Sequence, residues 1–357
     1  MRRAIELAKR GTGFVNPNPL VGAVIAKNGR IIGEGWHEHY GEPHAERNAL
    51  MHCTEDPAGA DIYVTLEPCC HHGKQPPCTE ALIAAGIGNV YVGSFDPNPL
   101  VAGKGLEMLR AHGINVYENI LRDECDALND IFFCYITKGR PYIILKAAMS
   151  LDGRTASYTG DSKWISNELS RKNVHRTRKR VSAIMAGINT VLSDDPMLNC
   201  RTDEPSDPVR VICDSKLRIP LSSKIITTAH KIPTIIATVS DDTEKIAQIR
   251  SAGAEVIITD GDRVDLKALI NELAKRKLDS VLVEGGATFH AAMLEAGLCD
   301  LLQIYIAPKI IGGTDARPVI GGKGVSRVAD AYMFSAPEIT RFGDDILLEY
   351  KRKSEEG

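Results

Sequence analysis

The sequence predicts an α/β protein built as two layered domains, and three observations carry that prediction. A compact first domain takes roughly 130–160 residues, well short of the 357 in the chain. Short β-branched runs alternate with helical stretches along both halves. Between the halves, Thr137-Lys138-Gly139-Arg140-Pro141 interrupts the pattern, which sets the domains at 1–140 and 141–357.

Met1 to Lys9 reads as a short amphipathic helix closed by Gly11 and Gly13. Val21 to Ile25 is a strand that turns at Asn28-Gly29, a dipeptide suited to tight hairpins, and returns as Arg30 to Trp36. His44 to Cys53 is helical in composition, and Asp61 to Leu66 is a strand. Thr79 to Ala85 is a helix stopped by Gly86. Strand Asn89 to Gly93, helix Gly105 to His112 and strand Ile114 to Tyr117 follow, and Leu121 to Ile136 looks like one long helix. The second half opens with a buried strand ending at Lys146. Further strands are expected at Ser182–Met185, Val209–Cys213, Thr234–Thr238, Glu255–Ile258 and Ser280–Val283, with helices at Asp242–Ala252 and Asp265–Lys275. Leu301 to Ile306 and Asp345 to Tyr350 read as late antiparallel strands at the sheet edge, and Lys351 to Gly357 as a fraying tail.

Formal net charge is -3, with acidic and basic residues mixed throughout. No basic tract marks a nucleic-acid groove, and no run of eighteen uncharged apolar residues marks a membrane span. A small anionic substrate fits, because a few arginines hold one phosphate. Nine cysteines in a long chain that starts without a secretory leader point to a reducing cytoplasm rather than to disulfides.

The chemistry-bearing motif is His44-Ala45-Glu46 followed by Pro68-Cys69 and Cys78. One imidazole and two thiolates make a three-ligand zinc set with a fourth position left for water. A glutamate two residues after the histidine is placed to move protons. Together these are the signature of zinc deaminases that remove an amino group from a ring. The alternative is a closed structural site with Cys70, His71 or His72 as fourth ligand, which leaves Glu46 unexplained. Cys69 is preferred over Cys70 because it follows Pro68. In the second half, Glu284-Gly285-Gly286-Ala287-Thr288 follows a strand and precedes a helix. Paired glycines there let backbone N–H groups approach a phosphate, although a plain packing turn reads equally well. The GxGxxG fingerprint is absent.

Long motifs extend these signals. Pro17-Asn18-Pro19-Leu20-Val21-Gly22-Ala23-Val24, Gly41 to Glu46, Leu66 to Lys74, Pro76-Pro77-Cys78 and Asp96-Pro97-Asn98-Pro99 lie in the first half. Lys146 to Ala156, Ser162-Lys163-Trp164-Ile165-Ser166, Gly187 to Leu192, Asp194-Asp195-Pro196 and Val283 to Gly286 lie in the second. With them the chain resembles, over nearly all its length, the bifunctional riboflavin-biosynthesis deaminase–reductases. The family usually has serine where this chain has Cys70.

The resemblance implies an N-terminal cytidine-deaminase-like α/β/α layered domain and a C-terminal dihydrofolate-reductase-like α/β domain. The cofactors it implies are Zn2+ and NADPH, and its partners are small phosphorylated pyrimidines. Zinc falls to His44, Cys69 and Cys78, with Glu46 as proton shuttle. Asn18 falls to the pyrimidine, where a carboxamide offers both donor and acceptor; a turn role between two prolines is its alternative. Lys74 or His72 would meet the substrate phosphate. Ala148, Trp164, Thr190, Asp194 and the segment Gly286, Ala287, Thr288, Phe289, His290, Ala291, Ala292 up to Met293 would line NADPH. Ser162, Arg178, Leu198, Arg201 and Glu284 would contact the sugar phosphate, and Lys146 and Glu284 would serve the reacting sugar. On composition alone, a solvated helix face is the alternative for Arg178 and a turn cap for Asp194, while Trp164 could equally belong to a core. A cytidine- or tRNA-type deaminase with an unrelated extension explains only the zinc motif. A zinc protein that has lost activity does not explain Glu46. Nothing in the sequence fixes oligomeric state, and a homo-oligomer stays open.

Overall fold

A computed structural model describes residues 1–72 and 75–353. Lys74 and the last four residues of the tail lie outside them. The chain divides into two units, Met1–Arg140 and Pro141–Gly357.

In the first unit, α1 (Arg2–Ala8) precedes a hairpin of β1 (Gly22–Lys27) and β2 (Arg30–Trp36). Asn28 and Gly29 both hold positive φ, 51° and 75°, which is the turn the dipeptide favours. Next come α2 (Ala45–Met51), β3 (Asp61–Leu66), α3 (Cys78–Ala84), β4 (Asn89–Ser94), α4 (Lys104–Ala111) and β5 (Asn115–Tyr117). The sheet order is β2-β1-β3-β4-β5, with β1 antiparallel to both neighbours and β3, β4 and β5 parallel. The expected long helix is two helices, α5 (Arg122–Asp126) and α6 (Asp130–Lys138). Asn129 breaks it: its side chain accepts from Leu20 N–H at 2.8 Å and donates to Leu20 O at 3.0 Å, which ties the break to the strand entry. Glycine sets how closely α2 lies on the sheet. A Cβ on Gly35 would stand 2.3 Å from Ala49 N and 2.5 Å from Ala45 O, so only glycine admits the helix that begins beside His44.

The second unit holds a nine-stranded sheet and a separate two-stranded one. Its elements in chain order are β6 (Tyr142–Ser150), β7 (Arg154–Ala156), α7 (Glu168–Arg180), β8 (Ala183–Gly187), α8 (Ile188–Asp194), β9 (Val209–Cys213), α9 (Lys224–Thr227), β10 (Thr234–Thr238), α10 (Thr243–Ser251), β11 (Glu255–Ile258), α11 (Leu266–Lys275), β12 (Ser280–Val283), α12 (Ala287–Glu295), β13 (Leu301–Ala307), β14 (Arg317–Pro318), β15 (Glu338–Phe342) and β16 (Asp345–Lys351). The order is β11-β10-β9-β8-β12-β6-β13-β16-β15. The two late strands pair antiparallel as expected, but not at the edge: β13 also pairs parallel with β6, and β16 lies inside, because β15 forms the edge. β15 is mostly exposed, so no apolar run announces it.

β6 does not stop at Lys146. β12 pairs with it only as far as Val283 opposite Leu145, whereas β13 accompanies it on to Ser150. Lys146 therefore emerges where its neighbour strand has ended and the turn Glu284-Gly285-Gly286 begins. That vacancy beyond the ends of parallel strands is where open α/β sheets place ligands.

Candidate functional site

The first unit brings three ligand-type atoms together. His44 is the N-cap residue of α2, in extended backbone at φ −75°. Cys78 is the first residue of α3, and Cys69 follows β3 on the loop. The Cys69 and Cys78 sulfurs lie 3.5 and 3.4 Å from His44 Nδ1, and all three ligand atoms lie within 4.8 Å of one another. Cys78 N–H donates to Cys69 Sγ at 3.4 Å, and Thr79 N–H to Cys69 O at 3.2 Å. The Cys78 thiol hydrogen bond and the His44 imidazole hold the Cys69 thiol down at about 4, despite burial. Two soft sulfurs and one imidazole suit zinc, so the residues present fit the ion. Cys70 points elsewhere: its Sγ lies 3.7 Å from Leu100 O.

Glu46, one residue into α2, is 3% exposed. Burial pushes its carboxyl up to about 7, and the neighbouring Cys69 thiolate adds to the rise. A carboxyl so poised exchanges protons readily at neutral pH.

Asn18 reaches this neighbourhood through a residue the sequence reading missed. Its Nδ2 donates to His37 Nε2 at 3.1 Å, while His37 Nδ1–H donates to Pro43 O at 3.2 Å. Burial lowers His37 to about 4, so the ring is neutral and fixes the Asn18 amide. Its sequence signal was no more than a histidine directly after Trp36, one of three between positions 37 and 44. Asp96-Pro97-Asn98-Pro99 is a turn, with Asn98 N–H on Asp96 Oδ1 at 2.8 Å and Leu100 N–H on Asn98 Oδ1 at 3.0 Å. Buried Glu67 fastens its far end through Gly103 N–H at 3.0 Å. His71 keeps a buried Nδ1 without a partner among the described residues, and His72 stands 3.9 Å from Glu80.

The second unit carries a cleft beyond the ends of β6, β8, β9 and β12. Lys146, Ala148, Ser162, Trp164, Arg178, Thr190, Asp194, Arg201, Glu284 and the Gly286–His290 stretch with Ala292 all line it. Three expected contacts do not; one is Met293, which is fully buried in the core. The Leu198 and Ala291 side chains are 3% and 6% exposed and face the core. Leu198 sits at φ 47°, in the left-handed region. Trp164 is 63% exposed, with the Arg171 guanidinium 4.6 Å over its ring.

Glu284 is the electrostatic centre of the cleft. It accepts from Arg178 Nε at 2.7 Å and Nη2 at 3.0 Å, and Lys146 Nζ lies 3.7 Å away. Burial pushes the carboxyl up, but the two cations more than offset it and hold it at about 2. Burial lowers Lys146, partly offset by Glu284. Arg178 also donates to Asn199 O at 2.9 Å, so its fork is committed inside the protein. Arg178 thus braces Glu284 while lining the cleft. Gly286 caps α12 with no side-chain bond, and a Cβ there would meet nothing within 4 Å. An open, uncapped helix start fits a phosphate-bearing cofactor. Ser215, Lys216 and Arg218 also line the cleft. They follow β9 as Glu284 follows β12, a parallel that could have marked them in the sequence.

These features define a protein class: a zinc-binding deaminase unit joined to an α/β reductase unit. Family models agree, the cytidine and deoxycytidylate deaminase zinc-binding region matching residues 1–94 and the RibD C-terminal domain residues 141–348. The riboflavin biosynthesis protein RibD of Actinobacillus pleuropneumoniae is 51% identical, over 98% of this chain and 94% of its own length. That of Escherichia coli is 40% identical, over 98% and 97%. A crystal structure of the diaminohydroxyphosphoribosylaminopyrimidine deaminase/5-amino-6-(5-phosphoribosylamino)uracil reductase of Thermotoga maritima superposes at TM-score 0.90, with 40% identity, covering 99% of this chain and 97% of that one. The chain belongs to the RibD family, the bifunctional deaminase–reductases of riboflavin biosynthesis. The expected cytidine-deaminase-like and dihydrofolate-reductase-like α/β units hold. No helix among the described residues is long and apolar enough to cross a membrane.

Proposed function

We propose that residues 1–140 deaminate 2,5-diamino-6-ribosylamino-4(3H)-pyrimidinone 5′-phosphate. Residues 141–357 then reduce 5-amino-6-(5-phosphoribosylamino)uracil to its ribitylamino product with NADPH. The observation that carries the reading is the pairing, in one chain, of a His-Cys-Cys cluster beside a buried glutamate with a cleft centred on Lys146 and Glu284.

In the deaminase unit, His44, Cys69 and Cys78 would hold zinc, which when bound would supply the Lewis acidity that makes water nucleophilic at neutral pH. Glu46 takes the proton of the attacking water and returns protons to the ring nitrogen and the departing ammonia. Asn18, locked by His37, offers its free carbonyl to the pyrimidine edge. In the reductase unit, Ala148, Trp164, Thr190, Asp194 and the start of α12 receive NADPH, the hydride donor. Lys146 and Glu284 face the ribose, Lys146 bringing a proton or a hydrogen bond to a sugar oxygen while Glu284 orients hydroxyls. Ser162 and Arg201 take the phosphate. Arg178 fixes Glu284.

The test is turnover of each pyrimidine separately. The diamino substrate should release ammonia without NADPH, and the deaminated one should oxidise NADPH without releasing ammonia. Ammonia release that requires NADPH, or no oxidation with the deaminated compound, overturns the reading.

A further inference from the structure

One contact at the phosphate end of the cleft has no role in that scheme. His175, on α7 and lining the cleft, receives Arg201 Nε–H on Nε2 at 3.1 Å. Around its other ring nitrogen stand two backbone groups: Arg201 N–H, aimed at Nδ1 at 3.3 Å, and the Asn199 carbonyl, which hydrogen-bonds the ring. A neutral imidazole has one donor and one acceptor. The ring can accept only one of the two Arg201 N–H groups; with the shorter contact, Nε–H at 3.1 Å, on Nε2, Nδ1 carries the proton and donates it to Asn199 O. Burial, with Arg178 and Arg201 close by, holds the ring at about 4 and thus neutral. Asn199 O also accepts from Arg178, so a continuous chain runs Glu284–Arg178–Asn199–His175–Arg201. Arg201 itself is exposed. A long exposed arginine loses side-chain entropy when it binds an anion, and one already tethered at Nε loses less while keeping its Nη donors free.

We infer that His175 is a positioning residue that pre-orients Arg201 toward the 5′-phosphate and so sets preference for phosphorylated over dephosphorylated substrate. The inference rests on the reductase reading above. Holding the tether against one neutral acceptor also keeps a second cation away from Arg201, which a protonated imidazole would not.

The experiment compares KM for the phosphoribosylaminouracil and for its dephosphorylated form in full-length H175F, H175Q, R201A and H175F/R201A. NADPH affinity serves as the check on folding, and H175A replaces H175F if that variant does not fold. H175F should raise KM for the phosphorylated compound roughly ten-fold, the effect of about one hydrogen bond to a charged group. It should leave KM for the dephosphorylated compound, kcat and NADPH affinity in place. H175Q keeps an acceptor and a donor and should restore most of the loss. In the R201A background, H175F should add nothing. Equal losses with both substrates, failure of glutamine to rescue, or additive losses in the double variant would overturn the assignment. Absence of NADPH oxidation by the unaltered enzyme would instead strike the reductase reading itself.

Discussion

Glu284→Gln tests whether the reductase cleft is organised around one carboxylate. The substitution keeps the shape of the side chain and removes the charge that Arg178 and Lys146 share. Both cations are mostly buried, with side chains 12% and 16% exposed, so neither regains much water in exchange. Two routes give a similar cost. Breaking a buried ion pair by removing one partner costs about 3–5 kcal/mol. The carboxyl falls from 4.5 to about 2 in the folded chain, which at 1.36 kcal/mol per pKa unit corresponds to about 3 kcal/mol. For a unit of this size, that lowers the melting midpoint by about 6–12 °C. Because the folded pKa is depressed, this stability is present above pH 4.5 and is lost as pH falls toward 2. Scanning calorimetry of the full chain, with hydrogen exchange at the β6 and β12 amides, reads the effect at neutral pH and again in acid. The variant should melt lower at pH 7 and converge on the parent in acid. An unchanged midpoint at pH 7, or a gap that widens on acidification, refutes the argument.

Other outcomes follow from the same geometry. Glu46→Gln should keep zinc and lower deamination by roughly 10²–10⁴-fold, the contribution of a general acid–base group; metal analysis and ammonia release check both halves. Cys69→Ser should lose zinc and deamination while Cys70→Ser keeps them, because only the Cys69 sulfur lies in the convergent set. Arg201→Ala should weaken the phosphorylated substrate with little change in NADPH binding, as read by fluorescence titration. Lys146→Ala should slow single-turnover hydride transfer more than it weakens NADPH.

Much of the site was legible because its residues are chemically unusual for their setting. His44, Glu46, Cys69 and Cys78 have few structural reasons to occur at such spacing, and the fold does bring the three ligand atoms together. Strands such as Thr234–Thr238 and Ser280–Val283 were readable to the residue because they are fully buried and flanked by turns. Tertiary partners were not legible. Arg178 looks like one of several cations on a helix until Glu284 arrives from 106 positions away. His37 and His175 act through hydrogen bonds to distant or backbone partners that leave no pattern in the chain. The break at Asn129 depends on Leu20, 109 residues earlier. β15 was missed because an exposed edge strand carries no apolar alternation.

The central claim is that two independent chemistries sit on separate side-chain sets of one chain. It is tested most directly by measuring ammonia release and NADPH oxidation side by side in Glu46→Gln and Lys146→Ala, each assay supplied with its own pyrimidine. The account predicts that Glu46→Gln loses ammonia release and oxidises NADPH as the parent does, and that Lys146→Ala does the reverse. Loss of both activities in either variant, with zinc content and NADPH binding intact, would contradict it.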